Sequence, residues 1–112
     1  MTDKLFSELY TAALAADDKA AYVSDRAISS AWGDNPTSDI PPERINQLEG
    51  IWDVAHLSIR DIRHHLVLTQ VEFSQRYCIP CRTIGSWETG DRACPPYLRL
   101  LLAESAGLYK RP

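Results

Sequence analysis

Three cysteines and a pair of histidines are the side chains in this 112-residue chain best suited to binding a metal. Cys78 and Cys81 are separated by two residues, a spacing at which two thiolates can chelate one zinc ion, and Cys94 with His64 or His65 could complete four ligands. The surrounding sequence disfavours this site, because Cys78 falls at a predicted turn between two helices and Cys81 on the outward face of the second. Since one ion binding both thiolates would distort that turn, we expect neither zinc nor a Cys78–Cys81 disulfide.

Histidine is the most frequent catalytic acid or base, but the three histidines of this chain lack a catalytic setting. No serine or cysteine with an orienting acid is arranged around His56, His64 or His65 in the sequence, and we expect all three at solvent-facing helical positions. The sequence also has no glycine-rich phosphate loop and no paired-carboxylate motif. It therefore predicts neither an enzyme nor a bound cofactor.

Two short helices joined by a tight turn are predicted around the cysteines. Thr69 can accept a hydrogen bond from a free N–H group at a helix start, and Glu72 can return the bond, so TQVE is a capping box for a helix over residues 70–77. Pro80 has no N–H group and disfavours helical geometry in the residue before it, so the helix must end there. A second helix follows over about 81–88 and stops at a Thr-Gly-Asp break. The pattern is that of a helix-turn-helix.

Apolar residues at helical spacing predict five further helices, so the chain is expected to be all-α. These helices lie at about 4–16, 19–32, 43–55, 59–66 and 97–106. The stretch GDNPTSDIPP, residues 33–42, is rich in turn residues and separates the first two helices from the rest. We therefore predict an acidic helical N-terminal extension at residues 1–40, made of an αα-hairpin and this linker, and a helix-turn-helix domain at residues 41–112.

Charge is divided unevenly along the chain, whose net charge is −3. Residues 1–55 hold four Lys and Arg against ten Asp and Glu, a net charge of −6. Residues 56–112 hold eight against five, a net charge of +3. Because attraction to phosphates depends on local positive charge, only the second half is suited to lie on a nucleic acid. The acidic half should face away from it.

Membrane association is not expected from this sequence. No apolar run approaches the roughly 18 residues needed to span a bilayer. The N-terminal MTDKLFSELY also lacks the basic start and apolar block of a signal peptide. We therefore expect a cytoplasmic protein, in which the three cysteines stay reduced.

The stretch LTQVEFSQRYCIPCRTIGSWETG, residues 68–90, resembles the DNA-binding domains of the phage-repressor/Cro (XRE-type) family. In that family a Leu-Ser/Thr-Gln-x-Glu-Leu/Phe run begins the first helix of the motif and Trp-Glu-x-Gly ends the second. The resemblance extends over roughly residues 59–107 and implies a lambda-repressor-like fold and a transcriptional regulator that binds double-stranded DNA. The chain departs from the family at Val67 and Cys78, where glycine is usual because the turns often need a positive φ.

The resemblance also implies roles for individual residues. The helix over about 81–88 would lie in the major groove and Gln70 would hold a phosphate. The positions implied to contact DNA are Thr69, Gln70, Pro80, Cys81, Arg82, Ser86 and Arg92. Arg63 and Glu88 are implied to form a structural ion pair. A homodimer is expected, because two such helices related by a dyad read half-sites about one DNA turn apart.

A protein-interaction module is the alternative prediction. On the surface that the second helix would turn towards DNA, only Arg82 is a cation; its neighbours there are Pro80, Cys81, Gly85, Ser86 and Asp91. The acidic N-terminal half could hold a basic protein partner, as in an antitoxin-like chain. A metal sensor that uses the cysteines is a third and less favoured function.

Overall fold

The computed structural model describes residues 1–33 and 39–112, and the regular secondary structure within these ranges is entirely helical. The helices are α1 Asp3–Ala15, α2 Lys19–Ala27, a 3-10 helix Ser30–Trp32, α3 Pro42–Ala55, α4 Ile59–His65, α5 Gln70–Tyr77, α6 Cys81–Thr89 and α7 Pro96–Ser105. The predicted all-α class is confirmed. None of the helices in the described part of the chain is long and apolar enough to cross a membrane. Of the linker predicted over 33–42, residues 34–38 lie outside the described residues.

One predicted helix is shorter than expected. The helix predicted over 19–32 ends at Ala27, and Ser30–Trp32 forms a separate 3-10 helix. Ser29 caps that 3-10 helix by accepting a hydrogen bond from the Ala31 N–H group at 3.2 Å. The Trp32 indole N–H group donates to the carbonyl of Arg26 at 2.8 Å, which ties the 3-10 helix back to the end of α2. A side-chain cap at Ser29 thus competes with continuation of the helix.

The chain forms two compact units, Met1–His56 and Leu57–Arg111. The division therefore lies about one helix later than the boundary predicted between residues 40 and 41. The reason is α3, which packs against both α1 and α2 and belongs with them. The sequence alone places α3 in the predicted domain at residues 41–112. The boundary between the two units coincides with the change in charge, since His56 and Leu57 carry no formal charge and the units have net charges of −6 and +3.

The first unit is a three-helix arrangement around an apolar core. Its buried apolar side chains are Phe6, Leu9, Tyr10, Ala13, Tyr22, Val23, Ala27, Leu48, Ile51, Val54 and Ala55. Two polar contacts connect helices inside this unit. The Tyr22 hydroxyl donates to the Leu9 carbonyl at 2.7 Å, and the Nε2 atom of His56 lies 2.7 Å from the Ala13 carbonyl oxygen. The middle of α1 and its C-terminal end are therefore hydrogen-bonded to residues outside the helix as well as packed against its neighbours.

The second unit contains α4 to α7, and α6 packs against both α4 and α5. Its buried apolar side chains are Ile59, Ile62, Phe73, Ile84, Cys94, Leu100, Leu102 and Ala103. Two capping boxes begin α4 and α5. The Ser58 hydroxyl oxygen accepts from the Asp61 N–H group and the Thr69 hydroxyl oxygen from the Glu72 N–H group, and each carboxylate accepts from the backbone of its partner. Local sequence thus sets where both helices start.

Three helices of the second unit end in the same way, with a residue of positive φ and a hydrogen bond that spans six residues. After α4 the Leu68 N–H group bonds the Arg63 carbonyl at 3.2 Å, and after α5 the Ile79 N–H group bonds the Ser74 carbonyl at 3.1 Å. The left-handed residues of α4, α5 and α7 are Val67 (φ 57°), Cys78 (φ 55°) and Gly107 (φ 75°). Only the last has the residue type suited to this geometry. The first two turns keep the conformation that usually takes glycine and accept the strain.

Val67→Gly should stabilise the second unit by about 0.5–1 kcal/mol. Glycine at this position removes roughly 1–2 kcal/mol of strain from the left-handed backbone. It also makes the unfolded chain more flexible, which lowers the free energy of unfolding by only ~0.4–1 kcal/mol. Little packing is lost, because Val67 is 86% exposed. Cys78→Gly should act in the same direction. Urea unfolding followed by the fluorescence of Trp87, in a Trp32→Phe/Trp52→Phe background, measures the second unit alone.

The matched control is Gly107→Ala, which places a side chain at the third of these positions. Its φ is +75°, so the substitution should destabilise the unit although an added Cβ would meet nothing within 4 Å. Equal unfolding midpoints for the wild type and Val67→Gly would show that the α4–α5 turn stores no strain.

Candidate nucleic-acid interface

A buried ion pair joins α6 to α4. The Arg63 guanidinium donates to both oxygens of the Glu88 carboxylate, from Nε to Oε2 at 2.9 Å and from the second terminal nitrogen to Oε1 at 2.8 Å. Its remaining terminal nitrogen donates to the Leu68 carbonyl at 3.0 Å. The Glu88 side chain is 1% exposed and that of Arg63 is 14% exposed. Arg63 therefore links the end of α6 to α4 and to the turn that follows α4.

Two more side chains stabilise the same carboxylate. Arg60 donates from Nε to Glu88 at 3.2 Å, and the Gln70 side chain also helps to lower the pKa of Glu88. The hydrogen bond from Arg63 lowers the pKa of Glu88 below its usual value, although burial of the carboxylate opposes the shift. The pKa of Arg63 is raised by the same hydrogen bond. The Glu88 carboxylate is therefore held in its ionised form by two arginines of α4.

The face of α6 opposite this packing surface is open. Ile84 is fully buried, and at about 100° per residue Arg82 and Ser86 each lie about 160° around the helix from it. Arg82 is exposed and Ser86 half-buried, and a side chain at Gly85 would meet nothing within 4 Å. Cys81 lies only about 60° from Ile84 and is half-buried. Of the residues predicted to face a groove, Arg82 and Ser86 project outward and Cys81 lies at the edge.

Backbone N–H groups are open at the starts of α5 and α6. Pro80 precedes α6 without a side-chain cap, and the first bonded N–H groups are those of Thr83 and Ile84, both to the Pro80 carbonyl. The N–H groups of Cys81 and Arg82 are thus without an acceptor among the described residues. At α5 the capping box likewise leaves the N–H groups of residues 70 and 71 without an acceptor among the described residues. Open N–H groups and the helix dipole favour an anion at both positions.

The acidic side chains of the second unit are mostly used inside it. Four of its five carboxylates form hydrogen bonds or ion pairs within the unit: Asp61, Glu72, Glu88 and Glu104. The fifth, Asp91, is exposed just after α6. Among the arginines, Arg82 and Arg92 are exposed and have no acidic partner within the described part of the chain. The surface therefore carries free positive charge beside carboxylates that are already bonded.

The predicted DNA-contacting residues divide into two groups. Thr69, Pro80, Arg82 and Arg92 are exposed, whereas Gln70, Cys81 and Ser86 are half-buried. The Thr69 hydroxyl oxygen already accepts the Glu72 N–H group, so only its O–H group is available to a ligand. The Gln70 side chain, which the resemblance assigns to a phosphate, also helps to lower the pKa of Glu88. No local sequence signal predicts this interaction, since it joins residues far apart in the chain.

The cysteines and histidines are dispersed. Cys78 is exposed, Cys81 half-buried and Cys94 buried, all as free thiols, and burial raises the pKa of the Cys94 thiol. Among the described residues no group of three or more His, Cys, Asp or Glu side chains is placed to hold a metal ion. His56 is exposed, as expected, but it also makes contacts within the first unit. Its ring stacks on Trp52 at 4.1 Å between centroids while it contacts the end of α1.

Glu88→Ala should destabilise the second unit by about 3–5 kcal/mol, because it leaves the largely buried Arg63 without its counter-charge. The double variant Arg63→Met/Glu88→Leu should recover much of this loss by replacing the pair with apolar side chains. Arg60→Ala is the matched control. Since Arg60 is 56% exposed, its loss should cost less than about 1 kcal/mol. Urea unfolding at neutral pH measures all three variants.

Lowering the pH should destabilise the second unit by protonating the Glu88 carboxylate. The pKa of Glu88 is lower in the folded protein than its usual value of 4.5, so the stabilisation is present above pH 4.5 and is lost as pH falls through the lower folded-state pKa. The wild type should therefore lose more stability below pH 4.5 than the double variant. Parallel pH profiles, or a Glu88→Ala variant that unfolds like the wild type, would contradict a stabilising role for the pair.

Comparisons with known proteins assign no family to this chain. No protein-family model, curated protein sequence or solved structure matches it. The family resemblance of residues 68–90 therefore stays an expectation from the sequence. The function has to be inferred from the chemistry of α4, α5 and α6.

Proposed function

We propose that this chain is a transcriptional regulator of XRE type that binds double-stranded DNA through its second unit. In this proposal α5, residues 78–80 and α6 form a helix-turn-helix, and α6 is the recognition helix in the major groove. The acidic first unit lies away from the DNA, as a charge of −6 requires.

The observation that carries the proposal is the contrast between the two sides of α6. One side is fixed to α4 by the buried Glu88 carboxylate, which sets the position of the helix. The other side is open, with Arg82 exposed and free N–H groups at the N-terminus. A helix that reads base edges needs this combination, because its side chains must be positioned closely while its outer face stays accessible.

Phosphate contacts follow from the two helix starts. We assign one phosphate to the open N–H groups at the start of α5, assisted by the Thr69 hydroxyl group. The contact that the resemblance attributes to Gln70 would then include its open backbone N–H group. Arg92, exposed after α6, supplies a further phosphate contact.

A protein-interaction module is the second candidate. It is favoured by the small number of cations on the outer face of α6, where Arg82 is followed by Gly85, Ser86 and Thr89. In that case the second unit would keep its fold without reading DNA, and the acidic unit would bind a basic partner. Binding to random duplex DNA separates the two functions, because non-specific DNA affinity falls steeply with salt.

Arg82→Ala should weaken binding to a preferred duplex by about 1–3 kcal/mol and relax the preference at one G·C pair in each half-site. The guanidinium is the only side chain on the outer face of α6 that can bond two acceptors of a guanine edge together. The duplex would be selected from a random pool by the purified chain. Fluorescence anisotropy on matched and single-substituted duplexes, at two salt concentrations, measures both effects.

Arg82→Lys is the matched control, because it keeps the charge and removes the bidentate geometry. If Arg82 reads a base, the lysine variant should lose the G·C preference almost as fully as the alanine variant. If Arg82 only contacts a phosphate, lysine should restore affinity and alanine should lower the salt slope by about one unit per half-site. Unchanged affinity in both variants would exclude α6 as the DNA-binding helix.

The active form should be a homodimer, because one nine-residue helix makes few base contacts. Analytical ultracentrifugation should show a dimer at tens of micromolar or when bound to a two-half-site duplex. A monomer under both conditions would remove the dimer from the proposal and leave DNA binding to be judged separately.

A further inference from the structure

A groove on the first unit runs along the contact between α2 and α3. It has a volume of about 720 Å³ and is lined by Asp18, Lys19, Ala20, Val23, Ser24, Ile45 and Glu49. Ala20, Val23 and Ile45 give it an apolar floor, and the charged side chains stand at its rim. A groove between two helices with an apolar floor is the kind of surface that receives the apolar face of a third helix.

The one cation at the rim is neutralised within the unit. The Lys19 ammonium lies 2.9 Å from a carboxylate oxygen of Asp53 and 3.9 Å from one of Glu49. It also stands 5.9 Å from the centre of the Trp52 ring. Lys19 therefore offers no net positive charge to a ligand, and the rim is acidic on balance.

The surroundings of the groove are acidic as well. A smaller groove of about 300 Å³ lies beside the start of α2, where Asp17, Asp18 and Asp25 line it with one arginine. Other exposed carboxylates of the first unit are Asp3, Glu8, Asp39 and Glu43. The net charge of the unit is −6. The field around the apolar floor thus attracts cations and repels nucleic acid and acidic segments.

We propose that the α2–α3 groove binds a basic amphipathic helix from a partner protein. Leucine-sized side chains on one face of that helix would lie over Ala20, Val23 and Ile45. Lysines or arginines on its flanks would contact the acidic rim at Asp18 and Glu49. The site is independent of the proposed DNA-binding surface, because every residue that forms it belongs to the first unit.

The test uses the full chain and a short synthetic helix of leucine and lysine, with leucine at positions i, i+3, i+4 and i+7. In NMR titrations of the ¹⁵N-labelled protein, this peptide should shift the amide signals of Ala20, Ser24, Ile45 and Glu49. Two probes serve as controls: the same peptide with glutamate in place of lysine, and a scrambled peptide of identical composition. Both should bind at least about tenfold more weakly, because one lacks the charge complement and the other the apolar stripe.

A neutral substitution separates groove binding from general attraction to an acidic protein. Ala20→Trp fills the groove without changing the charge and should weaken binding of the lysine peptide about tenfold or more. Thr11→Trp, at an exposed position of α1 outside both grooves, should leave it unchanged. Thermal melting checks that both variants remain folded.

Three results would overturn the proposal. The first is equal binding of the lysine peptide by Ala20→Trp and the wild type. The second is a set of shifted signals outside α2 and α3. The third is self-association that Ala20→Trp abolishes, which would show that a second copy of the chain covers the groove. None of these results bears on DNA binding by the second unit.

Discussion

The buried carboxylate of Glu88 is the constraint on which the second unit depends. An ionised carboxylate at 1% exposure is costly to bury unless it is bonded on several sides, and here Arg60 and Arg63 of α4 both bond it. A packing of the helices that moved either arginine away from Glu88 would lose part of the stabilisation that offsets burial of the carboxylate. The ion pair therefore favours one packing of α6 against α4.

Arg63 extends this constraint to the backbone. Its third hydrogen bond holds the Leu68 carbonyl, which lies between the end of α4 and the cap of α5. That connection includes Val67 in the left-handed conformation, so the turn is maintained partly by a side chain of the helix it follows. The same guanidinium thus determines the position of α6 and the path by which the chain enters α5.

Most of the helices could be predicted because their signals are local. Capping boxes at Ser58 and Thr69 and a proline at position 80 act over three or four residues, and the observed helices begin and end where these signals place them. The domain boundary could not be predicted in the same way. The apolar stripe of α3 shows that the helix is buried on one side but not which helices cover it, and α1 and α2 do so.

The candidate site could likewise be predicted only where its signals are local. Burial of Ile84 follows from helical spacing, and the outward position of Arg82 follows from that burial. The pairing of Arg63 with Glu88 spans 25 residues and entered only through the family resemblance. The effect of Gln70 on the pKa of Glu88, and the contact of His56 with α1, depend on tertiary packing and have no local sequence signal.

The two units use their acidic residues in opposite ways. In the second unit, carboxylates cap helices or bond arginines, so its positive charge remains available at the surface. In the first unit, Lys19 forms ion pairs with Asp53 and Glu49, and most carboxylates face solvent. Formal net charge alone therefore understates how different the two surfaces are.

The three thiols differ in exposure, so a thiol reagent should react with them at different rates. Cys78 is exposed at the turn before α6, whereas Cys94 is buried and burial raises the pKa of its thiol, which disfavours the reactive thiolate. A maleimide dye added briefly at neutral pH should therefore modify Cys78 well before Cys94. Once the half-buried Cys81 is replaced by serine, Cys78 thus offers an attachment point for a fluorophore or spin label beside α6, without the introduction of a new cysteine.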